Sequence, residues 1–87
     1  MTSLTTPHPV VAAPRAMEGL GRLGLSARQA EVALLLAEGM TEEAAADRLC
    51  LSPHTVHDHA KAIYRLLGVH SRVELAGRIF RILAETP

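Results

Sequence analysis

The stretch Ser52-Pro53-His54-Thr55-Val56-His57-Asp58-His59-Ala60-Lys61-Ala62-Ile63-Tyr64-Arg65-Leu66-Leu67-Gly68 decides how this chain folds. Ser52 brings a side-chain oxygen to an N-cap, and Pro53 suits the first helical residue, where no amide donor is needed. Gly68 closes the run, because glycine readily takes the left-handed conformation that ends a helix. At about 100° per residue, Val56, Ala60, Ile63 and Leu67 fall on one narrow stripe that must face a core. His54, His57, Asp58, Lys61 and Arg65 lie roughly opposite, on a side left to solvent or to a ligand. The pattern predicts an amphipathic helix over about 53–67.

Similar punctuation extends in both directions. Ser26 and Gln29 have capping-box spacing ahead of the run Ala27 to Glu38, and Gly39 stands where a left-handed cap belongs. Thr41 opens a second segment to Leu49, with Glu42 and Glu43 in the first turn, where the helix dipole favours anions. Ser71 and Glu74 form another capping box, opening a last helix that reaches about Ala84. The expectation is an all-α, compact four-helix domain over 25–87. Its second and third helices, joined by a tight turn, form a helix-turn-helix. Residues 1–24 carry Pro7, Pro9, Pro14, Gly19, Gly21 and Gly24, which oppose regular structure, so a flexible N-terminal tail or linker is expected there.

Composition narrows the function. With 87 residues the chain can build one small core, and with only Tyr64 and Phe80 aromatic that core must be aliphatic. Runs of β-branched residues are missing, which argues against a sheet. Nine basic and nine acidic side chains cancel to a formal charge of zero, so any affinity for nucleic acid must come from the local field of one face. No apolar run approaches the ~20 residues needed to cross a bilayer. The N-terminus lacks the basic-then-apolar pattern of a secretory signal, and the lone Cys50 can form no internal disulfide. A cytoplasmic protein without a membrane partner is expected. Cys50 itself is expected to be a small packed side chain in the turn.

The last helix has more apolar surface than one contact requires. Val73, Ala76, Phe80 and Leu83 follow three-four spacing, and Leu75, Ile79 and Ile82 make an adjoining stripe. Together they cover an arc of about 180°, against the ~100° of an ordinary surface helix. One stripe packs on the domain, and the other meets a partner, most simply a second copy about a two-fold axis. Val73, Ala76, Ile79, Phe80 and Leu83 are the candidates for that homodimer interface. A helix sunk deeper within one chain, or packed on an upstream domain, is the alternative. On the remaining side, Glu74–Arg78 and Arg81–Glu85 have the spacing of supportive ion pairs.

The segment from Leu25 to Phe80 resembles a known family. The runs Leu25-Ser26-Ala27-Arg28-Gln29-Ala30-Glu31-Val32 and Leu36-Ala37-Glu38-Gly39-Met40-Thr41 are similar to the opening of LuxR-type helix-turn-helix domains. Ala46-Asp47-Arg48-Leu49, Leu51-Ser52-Pro53-His54-Thr55-Val56, His59 and Ile63-Tyr64-Arg65 continue the match, and Leu67-Gly68-Val69 and Ser71-Arg72-Val73-Glu74-Leu75 complete it. The resemblance implies a third helix that reads the DNA major groove and dimerisation through the fourth. It also implies that Thr55 donates a hydrogen bond to phosphate while Val56 anchors the helix. This chain departs from the family's usual Lys at His57 and Leu66, its basic or polar residue at Asp58, its Glu and Ile at Ala44 and Ala45, and its Glu at Gln29. The exchanges on the exposed front remove positive charge or add negative charge, so weaker DNA binding than in a typical relative is expected.

Other chemistries find little support. His57 and His59 point about 160° apart around a helix, and the remaining pair, His54 and His57, is too few ligands for a stable zinc site. Neither a Ser-His-Asp set, a glycine-rich phosphate loop nor a cysteine cluster is visible. No catalytic residue, metal, cofactor or small-molecule substrate is expected. The reading is a sequence-specific transcription regulator that meets double-stranded DNA through His54, Thr55, His57, Asp58, Lys61 and Arg65. The competing reading is a degenerate helix-turn-helix, kept as a protein-interaction or dimerisation module with little DNA affinity, as the zero net charge and Asp58 suggest.

Overall fold

Cap residues set where most of the helices begin and end. A computed structural model describes residues 9–85, with side chains from residue 14 onward. In chain order the elements are α1 (Pro9–Arg22), α2 (Ala27–Ala37), α3 (Glu42–Leu49), α4 (Pro53–Leu67) and α5 (Arg72–Glu85). The fold is all-α, with no strand among the described residues. Helices α2 to α5 are the four expected from the sequence.

The local chemistry of those ends is largely as the spacing implies. The Ser26 hydroxyl accepts from the Gln29 amide at 3.1 Å and Gln29 Oε1 accepts from the Ser26 amide at 2.9 Å, so glutamine completes the box as glutamate would. Thr41 caps α3 by accepting from the Ala44 amide at 3.0 Å, and Ser52 caps α4 by accepting from the Thr55 amide at 3.1 Å. Gly39, at φ +97°, turns the chain so that the Met40 amide reaches the Leu35 carbonyl at 3.2 Å. The box at α5 forms only by half. Ser71 accepts from the Glu74 amide at 3.1 Å, but the Glu74 carboxylate takes the amide of His70 at 2.7 Å instead of that of Ser71. Neither Glu74–Arg78 nor Arg81–Glu85 forms an ion pair among the described residues; Glu74 has turned toward the helix start.

Helix α1 corrects the expectation of a flexible tail over 1–24. Residues 9–22 are helical despite Pro14 within the helix, while residues 1–8 of the expected tail lie outside the described residues. Packing explains the difference. Ala16 and Leu20, one helical turn apart, are 1% and 0% exposed, and α1 lies against both α2 and α5. Burial of such a stripe outweighs the propensity cost of its glycines and proline. The Arg15 guanidinium also donates to the Leu83 carbonyl at 3.3 Å, placing a cation by a late carbonyl of α5.

The core joins all five helices. Leu20, Val32, Leu36, Val56, Ile63 and Leu75 are the largest side chains buried beyond 98%, each worth roughly 1.5–3 kcal/mol of transfer free energy. Helix α2 is central and touches every other helix, whereas α4 packs mainly on α3 and α2. The predicted inner stripe of α4 is the observed one: Val56, Ala60, Ile63 and Leu67 are all buried. Ala45 and Ala46 are buried on α3, and Ala44 is exposed.

Cys50 also differs from expectation. It is exposed rather than packed, and it holds a left-handed conformation, φ 59° and ψ 41°, at the end of α3. That geometry lets the Leu51 amide reach the Ala46 carbonyl at 2.9 Å and starts the three-residue turn into α4. A side chain with a Cβ is strained there, at about 1 kcal/mol or more. Cys50→Gly is therefore expected to stabilise the domain by about 0.5–1 kcal/mol, once the greater freedom of glycine in the unfolded chain is subtracted. Thermal unfolding followed by circular dichroism checks this, with a rise of a few degrees expected and a fall contradicting the strain.

Candidate nucleic-acid interface

Helices α3 and α4 meet through the turn Cys50-Leu51-Ser52 and pack closely on one another. With the inner stripe of α4 buried, its outer side is fixed. His54, Asp58, Lys61 and Arg65 follow one another at steps of four, three and four residues, and all four are exposed. They form a single outward line along the helix. His57 is exposed on the flank toward α3, and Thr55 is half-buried on the other flank. Five of the six residues expected to meet DNA thus share one open surface. Thr55 stands at its edge.

The electrostatics of this surface are mixed. Lys61 and Arg65 have no carboxylate partner among the described residues. The two histidines do. His54 Nε2 lies 3.5 Å from Asp58 Oδ2 one turn along, and His57 Nδ1 lies 3.1 Å from Glu42 Oε1 and 3.4 Å from Oε2. Both pairs are well exposed, so they orient side chains more than they stabilise the fold. Glu42 stands in the first turn of α3, fifteen residues before its partner. Nothing in the local pattern points to it, because the contact exists only once α3 packs on α4.

Thr55 is held by its neighbour as well as by its helix. Its hydroxyl lies 2.9 Å from Ser52 Oγ, with either oxygen able to donate. When Ser52 donates, the Thr55 proton is left for an outside acceptor such as a phosphate oxygen. Among the described residues no three His, Cys, Asp or Glu side chains converge as metal ligands, and no helix is long and apolar enough to cross a membrane.

Helix α5 divides its apolar surface into two sides. Leu75, Ile79 and Ile82 face inward and are buried. Val73 and Phe80 face outward at 82% and 75% exposure, while Ala76 and Leu83 are half-buried between the two sides. Ile79, 5% exposed, belongs to the chain's own core rather than to a surface for a partner. Beside Phe80 runs an open groove of about 510 Å³, walled by Met17 of α1, Leu34 and Leu35 of α2, and Leu83.

An all-α domain, a three-residue turn and an outward helix carrying two exposed cations describe a helix-turn-helix. The family model for bacterial regulatory proteins of the luxR family matches residues 23–79, which run from the end of α1 through most of α5. The chain belongs to the LuxR family. It is a family of DNA-binding regulatory proteins, not of enzymes. LuxR-type relatives include the transcriptional regulatory protein UhpA of Escherichia coli strain K12, 46% identical over 56 residues, which are 64% of this chain and 29% of that protein. The response regulator GacA of Pseudomonas aeruginosa is 40% identical over 52 residues, 60% of this chain and 24% of that protein. The chain thus spans less than a third of the length of these relatives. No solved structure matches it. Most of α1, including the buried Ala16 and Leu20, lies before the residues that the LuxR model matches.

Proposed function

We propose that this LuxR-type domain regulates transcription by inserting α4 into the major groove of a specific DNA duplex as a homodimer. The observation that carries this reading is the outward line of α4, where Lys61 and Arg65 stand without carboxylate partners among the described residues. Phosphate neutralisation by such cations supplies non-specific affinity, and side chains early in the helix reach base edges. His54 and His57 occupy those early positions, Thr55 sits beside them to meet phosphate, and Asp58 accepts hydrogen bonds or repels phosphate according to register. A cytoplasmic location fits this role.

The homodimer reading rests on α5. Val73 and Phe80, two turns apart on one side of α5, are exposed, with Phe80 bordering the groove, and isologous pairing about a two-fold axis would bury both. Two copies would then present two recognition helices to half-sites at a spacing set by the interface. Phe80→Asp is expected to cost about 2 kcal/mol or more per copy at such an interface. Sedimentation of the variant should show a monomer where the parent chain is a dimer, with unchanged helix content. A parent chain that sediments as a monomer at tens of micromolar would remove the dimer from the model of function.

The second reading, a helix-turn-helix kept for protein contacts, draws on Glu42 and Asp58, the carboxylates that hold both front histidines. A gel-shift titration against random duplexes at low salt separates the two. DNA binding that falls steeply with salt supports the regulator, and its absence supports the interaction module.

A further inference from the structure

We propose that Glu42 makes His57 a hydrogen-bond acceptor toward DNA, so that this position of α4 selects a base bearing an amino group, cytosine or adenine. The inference rests on α4 docking in a major groove and adds the identity of one recognised base edge.

The chemistry follows from two distances. An ionised carboxylate only accepts hydrogen bonds, and Glu42 offers both of its oxygens to His57 Nδ1, at 3.1 and 3.4 Å. Nδ1 must therefore carry the proton. In the neutral ring Nε2 is then bare and can only accept, which is how a carboxylate behind an imidazole fixes its tautomer. Nε2 has no partner among the described residues, and the side chain is 55% exposed. His57 is the fifth residue of α4, within the part of a recognition helix that meets base edges.

In the major groove the donors are the N4 amino group of cytosine and the N6 amino group of adenine, whereas guanine and thymine present O6, N7 and O4 acceptors at the corresponding edges. A bare Nε2 matches the first pair and faces a lone pair with the second. Glu42 acts here as a positioning residue, one that need not touch DNA. Removing its carboxylate releases the ring proton to Nε2 and turns the same side chain into a donor.

Two measurements on the intact chain test this. Ring nitrogen NMR of His57 at about pH 8.5, two units above the ordinary histidine value near 6.5, reads the tautomer directly. Selection from a random duplex library at that same pH, where the ring is neutral, by the parent chain, Glu42→Ala and His57→Lys, reads the base preference. The expected spectrum has a protonated Nδ1 and a bare Nε2. The expected selection has one position per half-site favouring cytosine or adenine by roughly fivefold, at the lower end of a good base contact. Glu42→Ala should shift that position toward guanine or thymine while binding DNA at least as tightly overall, since it removes a negative charge near phosphate. His57→Lys should also lose the amino-base preference, because a lysine only donates.

A proton on Nε2 in the parent chain, or a preference unchanged in Glu42→Ala, overturns the inference and leaves the DNA-binding reading intact. If the parent chain selects no duplex at all, that reading fails and takes the base preference with it.

Discussion

Leu20→Ala is expected to lower the stability of the domain by about 2–5 kcal/mol, the range for emptying a buried leucine site. Leu20 is 0% exposed and belongs to the same core cluster as Leu36, Ile63 and Leu75. The cavity would open where α1 meets α2 and α5, helices already packed on other neighbours, so little collapse can fill it. Small domains hold only about 5–15 kcal/mol in total, so the loss is a large share. In a domain of this size each kcal/mol moves the midpoint by about 4–8 °C, so a drop of roughly 10 °C or more is expected in a circular dichroism melt. Glu18→Ala, in the same helix but exposed, should stay within about 0.5 kcal/mol. If the two variants melted alike, α1 would be an appendage instead of part of the core.

The double variant Lys61→Ala/Arg65→Ala is expected to weaken binding to all duplexes alike while leaving the fold unchanged. Both side chains are exposed and neither takes part in an ion pair among the described residues, so their removal opens no cavity and strands no carboxylate. Each phosphate neutralised releases counterions and contributes about 0.9 to the slope of log affinity against log salt. Losing two contacts should flatten that slope by nearly two units and reduce affinity roughly a hundredfold at about 0.1 M salt. Fluorescence anisotropy across a salt series measures both quantities. An unchanged slope would mean that the outward line of α4 does not meet phosphate, and the proposed docking would fall with it.

The weaker DNA binding expected from the exchanges at His57, Leu66 and Asp58 gains one further contributor from the tertiary structure, Glu42. The front of α4 carries two cations, but Asp58 and Glu42 add two carboxylates within reach of its histidines. Glu42 was not legible as part of this surface. Its position at the start of α3 reads as a dipole-matched first-turn residue, and it is one. Its second role depends on a partner fifteen residues away across a turn.

Signals that act within one or two turns were enough to place α2, α3, α4 and α5, to choose the buried stripe of α4 and to bring out the family likeness. Ser26, Thr41 and Ser52 cap their own helices, and Gly39 and Gly68 end theirs, through bonds between near neighbours. Such bonds depend on residue type and spacing alone. Distant contacts settled the rest. Residues 9–22 are a helix because Ala16 and Leu20 find α2 and α5 to pack on, whereas their glycines and prolines argue locally for a loop. The wide apolar arc of α5 held two possible cores until the neighbouring helices buried Leu75, Ile79 and Ile82 and left Val73 and Phe80 outside. Periodicity measures the width of an apolar face, but only the surfaces already in place around a helix determine which part of that face water can still reach.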